Sequence, residues 1–280
     1  MKLRTPATSL VAALDEPFRF LRTHFHAWAP ATYALALLGV VPGLLTQWFN
    51  TGLTPPPGEI PNLGNLAGVM VAGAASGLTY FVTMLGAYVV VGRVLDGERP
   101  TFGAALLGAL SPRLLLIGGM PLMFTLVGFG CLVGGPVIGG LVGFTPVAVL
   151  ARPGQWAPSL AEALSRATER VSPRDAGLPA YKLGAITLIW YAINSVTSQL
   201  AALPTAGWMI WHVVTSLGAG DPMAALQTSP PFAVGTATVL LGTFLRPFAD
   251  IYLAAGATLL WRDLERVREG ADLEAVVDAA

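Results

Sequence analysis

Stretches without a full charge set the first expectation. They run at about 27–58, 60–92, 114–151, 183–220 and 222–245. An α-helix needs about 20 apolar residues to cross a hydrocarbon core. Each block is long enough, so the pattern predicts an all-α polytopic membrane protein. The first expected span reads "WAPATYALALLGVVPGLLTQW", from Trp28 to Trp48. At 1.5 Å per residue the two indoles stand about 30 Å apart, the thickness of the core, which suggests one at each interface. It follows acidic residues and is too long for a signal's apolar core, so a cleaved signal is not expected. A Pro-rich connection, "NTGLTPPPGEIPNLGN", cannot continue the helix.

The second span is expected at about 66–91. The block Leu114–Ala151 is too long for one crossing, since one helix of that length would measure about 57 Å. It is expected to fold back near "GFGCLVGGP", giving spans at about 114–130 and 134–151. Spans five and six follow at about 183–203 and 232–261. "TAGWMIWHVVTSLG" (205–218) is short for a crossing and reads as an interfacial or re-entrant piece. Pro42, Pro121 and Pro146 should kink their spans and free carbonyls.

Each expected hairpin is preceded by a similar hexamer: "SLVAAL" at Ser9, "TFGAAL" at Thr101 and "SLAEAL" at Ser159. Ser and Thr are good N-caps, and Ser159 with Glu162 has capping-box spacing. In the third copy Leu160, Ala163, Leu164, Ala167 and Val171 recur at helical spacing, with Glu162 and Arg166 pairing at i,i+4 on the opposite face. Amphipathic helices on the cytoplasmic surface are therefore expected at about 9–25, 101–111 and 159–172. The architecture is six transmembrane helices as three hairpins, each preceded by such a helix.

Charge orients this arrangement. The chain is 54% hydrophobic and 11% charged, with a net charge of zero, which gives no case for nucleic acid as a partner. The N-terminal segment, the connections at 92–113 and 151–182, and the tail hold 15 of the 16 basic residues. The connections at 50–65, 128–135 and 204–231 hold none. Six spans place all basic segments on one side, and the positive-inside rule puts both termini in the cytoplasm. Basic residues there would meet anionic lipid.

The tail "WRDLERVREGADLE" (261–274) resembles the C-terminal signature of prokaryotic six-span membrane proteins of the YciC-like and glycerophosphoryl diester phosphodiesterase membrane-domain type. Trp261, Asp263–Leu264, Arg268–Glu269–Gly270 and Asp272–Leu273–Glu274 carry the likeness. "LDGERPTFGAAL" (95–106) and "PVAVLARPGQWAPSLAEALSRA" (146–167) look like that group's internal connections. The resemblance implies a six-span helical fold in the bacterial cytoplasmic membrane. It implies no phosphodiesterase activity, since spans and short connections use almost the whole chain.

Chemistry is sparse. His24 and His26 lie two apart and diverge on a helix, and His212 stands alone. The single Cys131 has no internal disulfide partner. No metal, phosphate-loop or nucleophile-elbow motif occurs. Neither catalytic residues nor metal ligands nor a cofactor is expected, and the chain reads as no enzyme. Gly73 with Gly77, and Gly135, Gly139 and Gly143, are spaced four apart, which suits close helix packing in the bundle or a homodimer seam.

The candidate binding residues are Arg246 and Asp250, the only full charges between Phe232 and Trp261. They are i,i+4 on one helix around Pro247. An unpaired charge at mid-membrane costs about 2.5–3.5 kcal/mol on insertion scales. The pair fits a structural lock on a kinked last helix, a polar cavity for a solute, proton or headgroup, or a shallower placement with Arg246 snorkelling outward. The expected function is a non-enzymatic membrane subunit that organises or anchors lipids and protein partners, whether other membrane subunits or a homo-oligomer. The alternative is a small transporter with Arg246 and Asp250 lining its pathway.

Overall fold

A computed structural model describes residues 9–51, 63–119, 134–151, 157–168, 179–218 and 230–278. Every regular element among them is helical: α1 (Leu10–Thr23), α2 (Phe25–Ala36), α3 (Val40–Thr51), α4 (Leu63–Leu95), α5 (Phe102–Ala109), α6 (Gly134–Val142), α7 (Thr145–Ala151), α8 (Ala157–Thr168), α9 (Pro179–Ala201), α10 (Leu203–Gly218) and α11 (Phe232–Asp278). A 3-10 turn covers Leu37–Gly39 and a widened π-type turn covers Leu114–Gly119.

Four stretches are long and apolar enough to cross a membrane: Phe25–Asn50, Leu63–Leu95, Pro179–Gly218 and Phe232–Val267. They fall on the expected spans at 28–48, 66–91, 183–203 and 232–261. The expected span at 114–130 is described only to Gly119, since residues 120–133, with Pro121 and Cys131, lie outside the described residues, and that at 134–151 is a shorter apolar helical stretch, Gly135–Ala151. The segment 205–218 is helical. It is α10, joined to α9 through Ala202, whose N–H donates to the Ser198 carbonyl (3.0 Å) and whose carbonyl accepts from Ala206 (2.9 Å). Pro204 is tolerated because it sits in the first turn of α10, where its missing N–H is no loss.

The prolines act locally. The ring of Pro42 crowds the carbonyl four residues back, and the chain tightens into the 3-10 turn there. Pro146 separates α6 from α7 and deprives the Val142 carbonyl of its donor. The Thr145 hydroxyl lies 2.7 Å from that oxygen and donates to it, with the Gly118 carbonyl 3.2 Å away.

The chain forms two compact units: Met1–Thr32, Val82–Ala192 and Phe248–Ala280 make the first, and Tyr33–Phe81 and Ile193–Pro247 the second. The first has a conventional core in which Trp28, Tyr88, Leu114, Phe144, Leu183, Ile186, Tyr252 and Trp261 are buried. Trp28, expected at an interface, is instead a core anchor. Its indole N–H donates to the Leu21 carbonyl (3.1 Å) and its ring meets Phe25 and Phe248 edge-on. Spacing along the chain weighs an indole by depth alone, whereas a carbonyl partner satisfies this one inside the core.

The second unit is different. Among its described residues only Leu35, Ala72 and Ala201 are buried hydrophobic side chains, while Trp48, Met70, Val71, Ile210, Trp211 and Val214 are largely exposed. Water would not tolerate so continuous an apolar exterior. Hydrocarbon does, so this exterior suits a membrane protein.

Helices occur where the three amphipathic helices are expected, as α1, α5 and α8, although α5 is apolar throughout. Ser9 caps α1 by accepting from the Ala12 N–H (3.1 Å), and Thr101 caps α5 by accepting from Ala104 (3.3 Å). Each cap satisfies a backbone donor that the first turn leaves free. Ser9→Ala and Thr101→Ala should each cost about 1 kcal/mol, read as a lower melting temperature in detergent. The third cap departs from expectation: α8 already includes Ala157 and Pro158, so Ser159 stands inside its first turn. Pro158 is the stronger start signal, being pre-shaped for a helix's first turn. The face of α8 also differs. Ala163, Arg166 and Ala167 are buried, whereas Leu160 and Leu164 are exposed.

Candidate functional site

Arg246 lies in the second unit and Asp250 in the first, so each has its own surroundings. Arg246 is the only fully charged side chain among the described residues of the second unit. Its guanidinium carbon sits 3.0 Å from the centroid of the Tyr80 ring, and its Nε has no hydrogen-bond partner. An aromatic face stabilises a desolvated cation by about 2 kcal/mol, which offsets part of the cost of taking the charge out of water. Ser76, one turn before Tyr80 on α4, has a buried hydroxyl without a hydrogen bond. Asp250 is 3% exposed and lies within Coulombic range of the Tyr88 hydroxyl.

A larger concentration of polar groups occurs in the first unit, where three helical stripes converge. α4 ends in a glycine cap: Gly97 has φ +81°, Glu98 N–H reaches the Arg93 carbonyl (2.9 Å) and Gly97 N–H the Val94 carbonyl (3.0 Å). This paired pattern is the common helix stop in which glycine takes the left-handed position. It places Asp96 at the cap, one turn beyond Gly92 and two beyond Tyr88. α11 presents Thr258, Trp261, Arg262, Glu265 and Arg266 at helical spacing, and α7 presents Val147, Leu150 and Ala151. Together these residues line a cavity of about 500 Å³.

Apart from Arg266, its charges are arranged in pairs. Arg262 Nη2 lies 2.6 Å from Asp96 Oδ1 and donates also to the Gly92 carbonyl (3.3 Å). Arg166, on α8, reaches Glu162 (2.9 Å) and Glu265 (3.7 Å) and stacks over the Trp261 ring at 4.3 Å. Arg166 thus pairs with Glu162 as their spacing predicts, but on the buried side of α8. A planar guanidinium with carboxylates at its edge and an indole on its face is satisfied well enough to be buried.

Residue spacing alone does not assemble this cluster. Asp96 and Arg262 are 166 residues apart, and helical spacing hints at a shared face only within each helix, in Tyr88, Gly92 and Asp96 and in Thr258, Trp261, Arg262, Glu265 and Arg266. The remaining candidate groups do not join it. His24 and His26 line a separate cavity of about 480 Å³ with Arg99 and Pro100. His212 stacks on Trp208 at 4.9 Å in the second unit. Among the described residues no three His, Cys, Asp or Glu side chains are grouped to hold a metal ion. Gly139, Gly140 and Gly143 meet α9 closely, whereas a Cβ at Gly73 or Gly77 would meet nothing within 4 Å. Comparison with protein families, with curated proteins and with solved structures finds no match to this chain.

Proposed function

We propose that this chain is a non-enzymatic, multi-pass subunit of the bacterial cytoplasmic membrane that organises lipids and protein partners, either other membrane subunits or copies of itself. One observation carries the reading: the division of charge. The described part of the second unit has one full charge and an apolar exterior, while every other described Lys and Arg belongs to the first. A body with lipid as solvent and a charged body suited to headgroups and partners follow from that division. In this reading the spans number six, the pieces flanking residues 120–133 form the middle hairpin, and both termini are cytoplasmic. The likeness of the tail to YciC-like membrane proteins supports the same topology.

The test has two arms. Reporter fusions at each terminus should report a cytoplasmic location. Gentle purification should retain lipids or partner chains identifiable by mass spectrometry. A periplasmic terminus, or a chain that purifies without either class of companion, defeats the proposal.

A transporter is favoured by one observation, Arg246 on Tyr80 as the one full charge among the described residues of the second unit. For a pathway residue, Arg246→Leu leaves the melting temperature unchanged and abolishes dye-reported proton or solute flux into proteoliposomes. For a structural residue it shifts the melting temperature, and there is no flux to lose.

A further inference from the structure

We propose that the cavity between α4, α7 and α11 binds the phosphate of a membrane phospholipid headgroup. This rests on the reading of the chain as a membrane subunit and adds a ligand to it. The two acids in the wall are engaged, Asp96 by Arg262 and Glu265 by Arg166. What remains uncommitted is a set of donors. The Trp261 indole N–H is buried without a hydrogen-bond partner, and so is the Tyr88 hydroxyl. Both residues are at most 1% exposed. Arg266 is exposed and makes no ion pair or hydrogen bond among the described residues. Buried donors normally find acceptors, and the two residues that bear these orphans both line this cavity, which points to an acceptor that binds there. An indole N–H, a phenol and a guanidinium together suit an oxyanion, and arginine suits phosphate.

The rest of the wall supports a lipid source. Val147, Leu150 and Ala151 form an apolar side next to the donors. The cavity also lies where the uncharged run of α4 meets its first arginine, Arg93, and where the run of α11 beyond Asp250 meets Arg262. That is the depth at which a spanning helix passes from hydrocarbon to headgroups.

Gly92 makes the idea testable without damaging the fold. A Cβ there meets nothing within 4 Å, and leucine is a better helix former than glycine. Gly92→Leu should therefore fold as the wild type does while filling the cavity. The full chain in dodecyl maltoside would be titrated with dioleoyl phosphatidylglycerol, dioleoylglycerol and inorganic phosphate, with native mass spectrometry and melting temperature as readouts. Expected is one phosphatidylglycerol per chain with a rise in melting temperature, and at least tenfold weaker binding of dioleoylglycerol. Gly92→Leu should lose at least tenfold in affinity, and Arg266→Gln several-fold. If Gly92→Leu does not fold, Arg266→Gln and Tyr88→Phe carry the test. Equal binding by wild type and these variants overturns the proposal, as does equal binding of dioleoylglycerol. A shift by inorganic phosphate as large as that by the lipid overturns the lipid source. A wild-type chain that stays in alkali-washed membranes but does not discriminate between these lipids defeats the cavity alone. Release of the chain into the wash defeats the membrane reading as well.

Discussion

Gly184→Leu should lower the melting temperature in detergent by roughly 10 °C. A Cβ on Gly184 would stand 2.8 Å from the Pro136 carbonyl oxygen and 3.8 Å from the Gly140 Cα. The opposing atoms are backbone, so no change of rotamer relieves the clash and α6 must move away from α9. The other side of the crossing is equally tight. A Cβ on Gly139 would come within 2.5 Å of Thr187, one on Gly143 within 3.0 Å of Leu183, and one on Gly140 would strike the Ala180 carbonyl. Overpacking costs about 1–3 kcal/mol where side chains can adjust, and a backbone contact belongs at the upper end. About 3 kcal/mol corresponds to roughly 10 °C for a chain of this size. In a membrane this contact matters more, because helices there associate through close packing, with no hydrophobic drive between them. Gly77→Leu is the control: a Cβ at Gly77 meets nothing within 4 Å, and its melting temperature should stay within about 2 °C of the wild type. Equal melting of Gly184→Leu and Gly77→Leu would show that α6 and α9 do not cross at these glycines.

The two glycine runs illustrate what the chain's order of residues discloses. Spacing of four puts glycines on one stripe in either run, but it does not say which stripe has a neighbour. Gly139 and Gly143 have one among the described residues; Gly73 and Gly77 do not. Apolar length is more informative. It locates the four long stretches, because a hydrocarbon core imposes a length that one segment must meet alone. The hexamers at Ser9 and Thr101 likewise mark real caps, since a cap is a contact over three residues. The same logic, applied to Ser159, passes over Pro158, a start signal of equal locality. Distance along the chain hides the rest. The burial of Trp28 and Arg166, and the cavity between α4, α7 and α11, depend on partners that periodicity cannot name. Arg246 and Asp250 stand out because they are charges in an apolar run. Their surroundings, Tyr80 for one and Tyr88 for the other, come from another helix.

Arg166→Met should destabilise the chain by about 3 kcal/mol, far more than loss of an exposed arginine. The Arg166 side chain is 7% exposed and that of Glu162 14%. Its Nε and Nη2 both donate to Glu162 Oε1, at 3.2 and 2.9 Å. Removing one member of a buried pair leaves the other charge without compensation, which costs about 3–5 kcal/mol. Glu265 is 38% exposed and can turn to water, so the lower end of that range applies. The Arg19–Asp15 pair sets the comparison. It has the same i,i+4 spacing, but its side chains are 69% and 62% exposed. Arg19→Met should cost no more than about 0.5 kcal/mol. Arg166→Lys keeps the charge but loses the planar stack on Trp261, and should fall between the two. The decisive measurement is a double-mutant cycle. Glu162→Gln with Arg166→Met removes both charges, and the double variant should be more stable than Arg166→Met alone, with a coupling of about 2 kcal/mol. Raising the salt to about 1 M contracts the screening length to about 3 Å. It should leave the Arg166 coupling largely intact while erasing that of Arg19. If the double variant is as unstable as the sum of the single ones, Arg166 is held by the Trp261 face and not by its carboxylates.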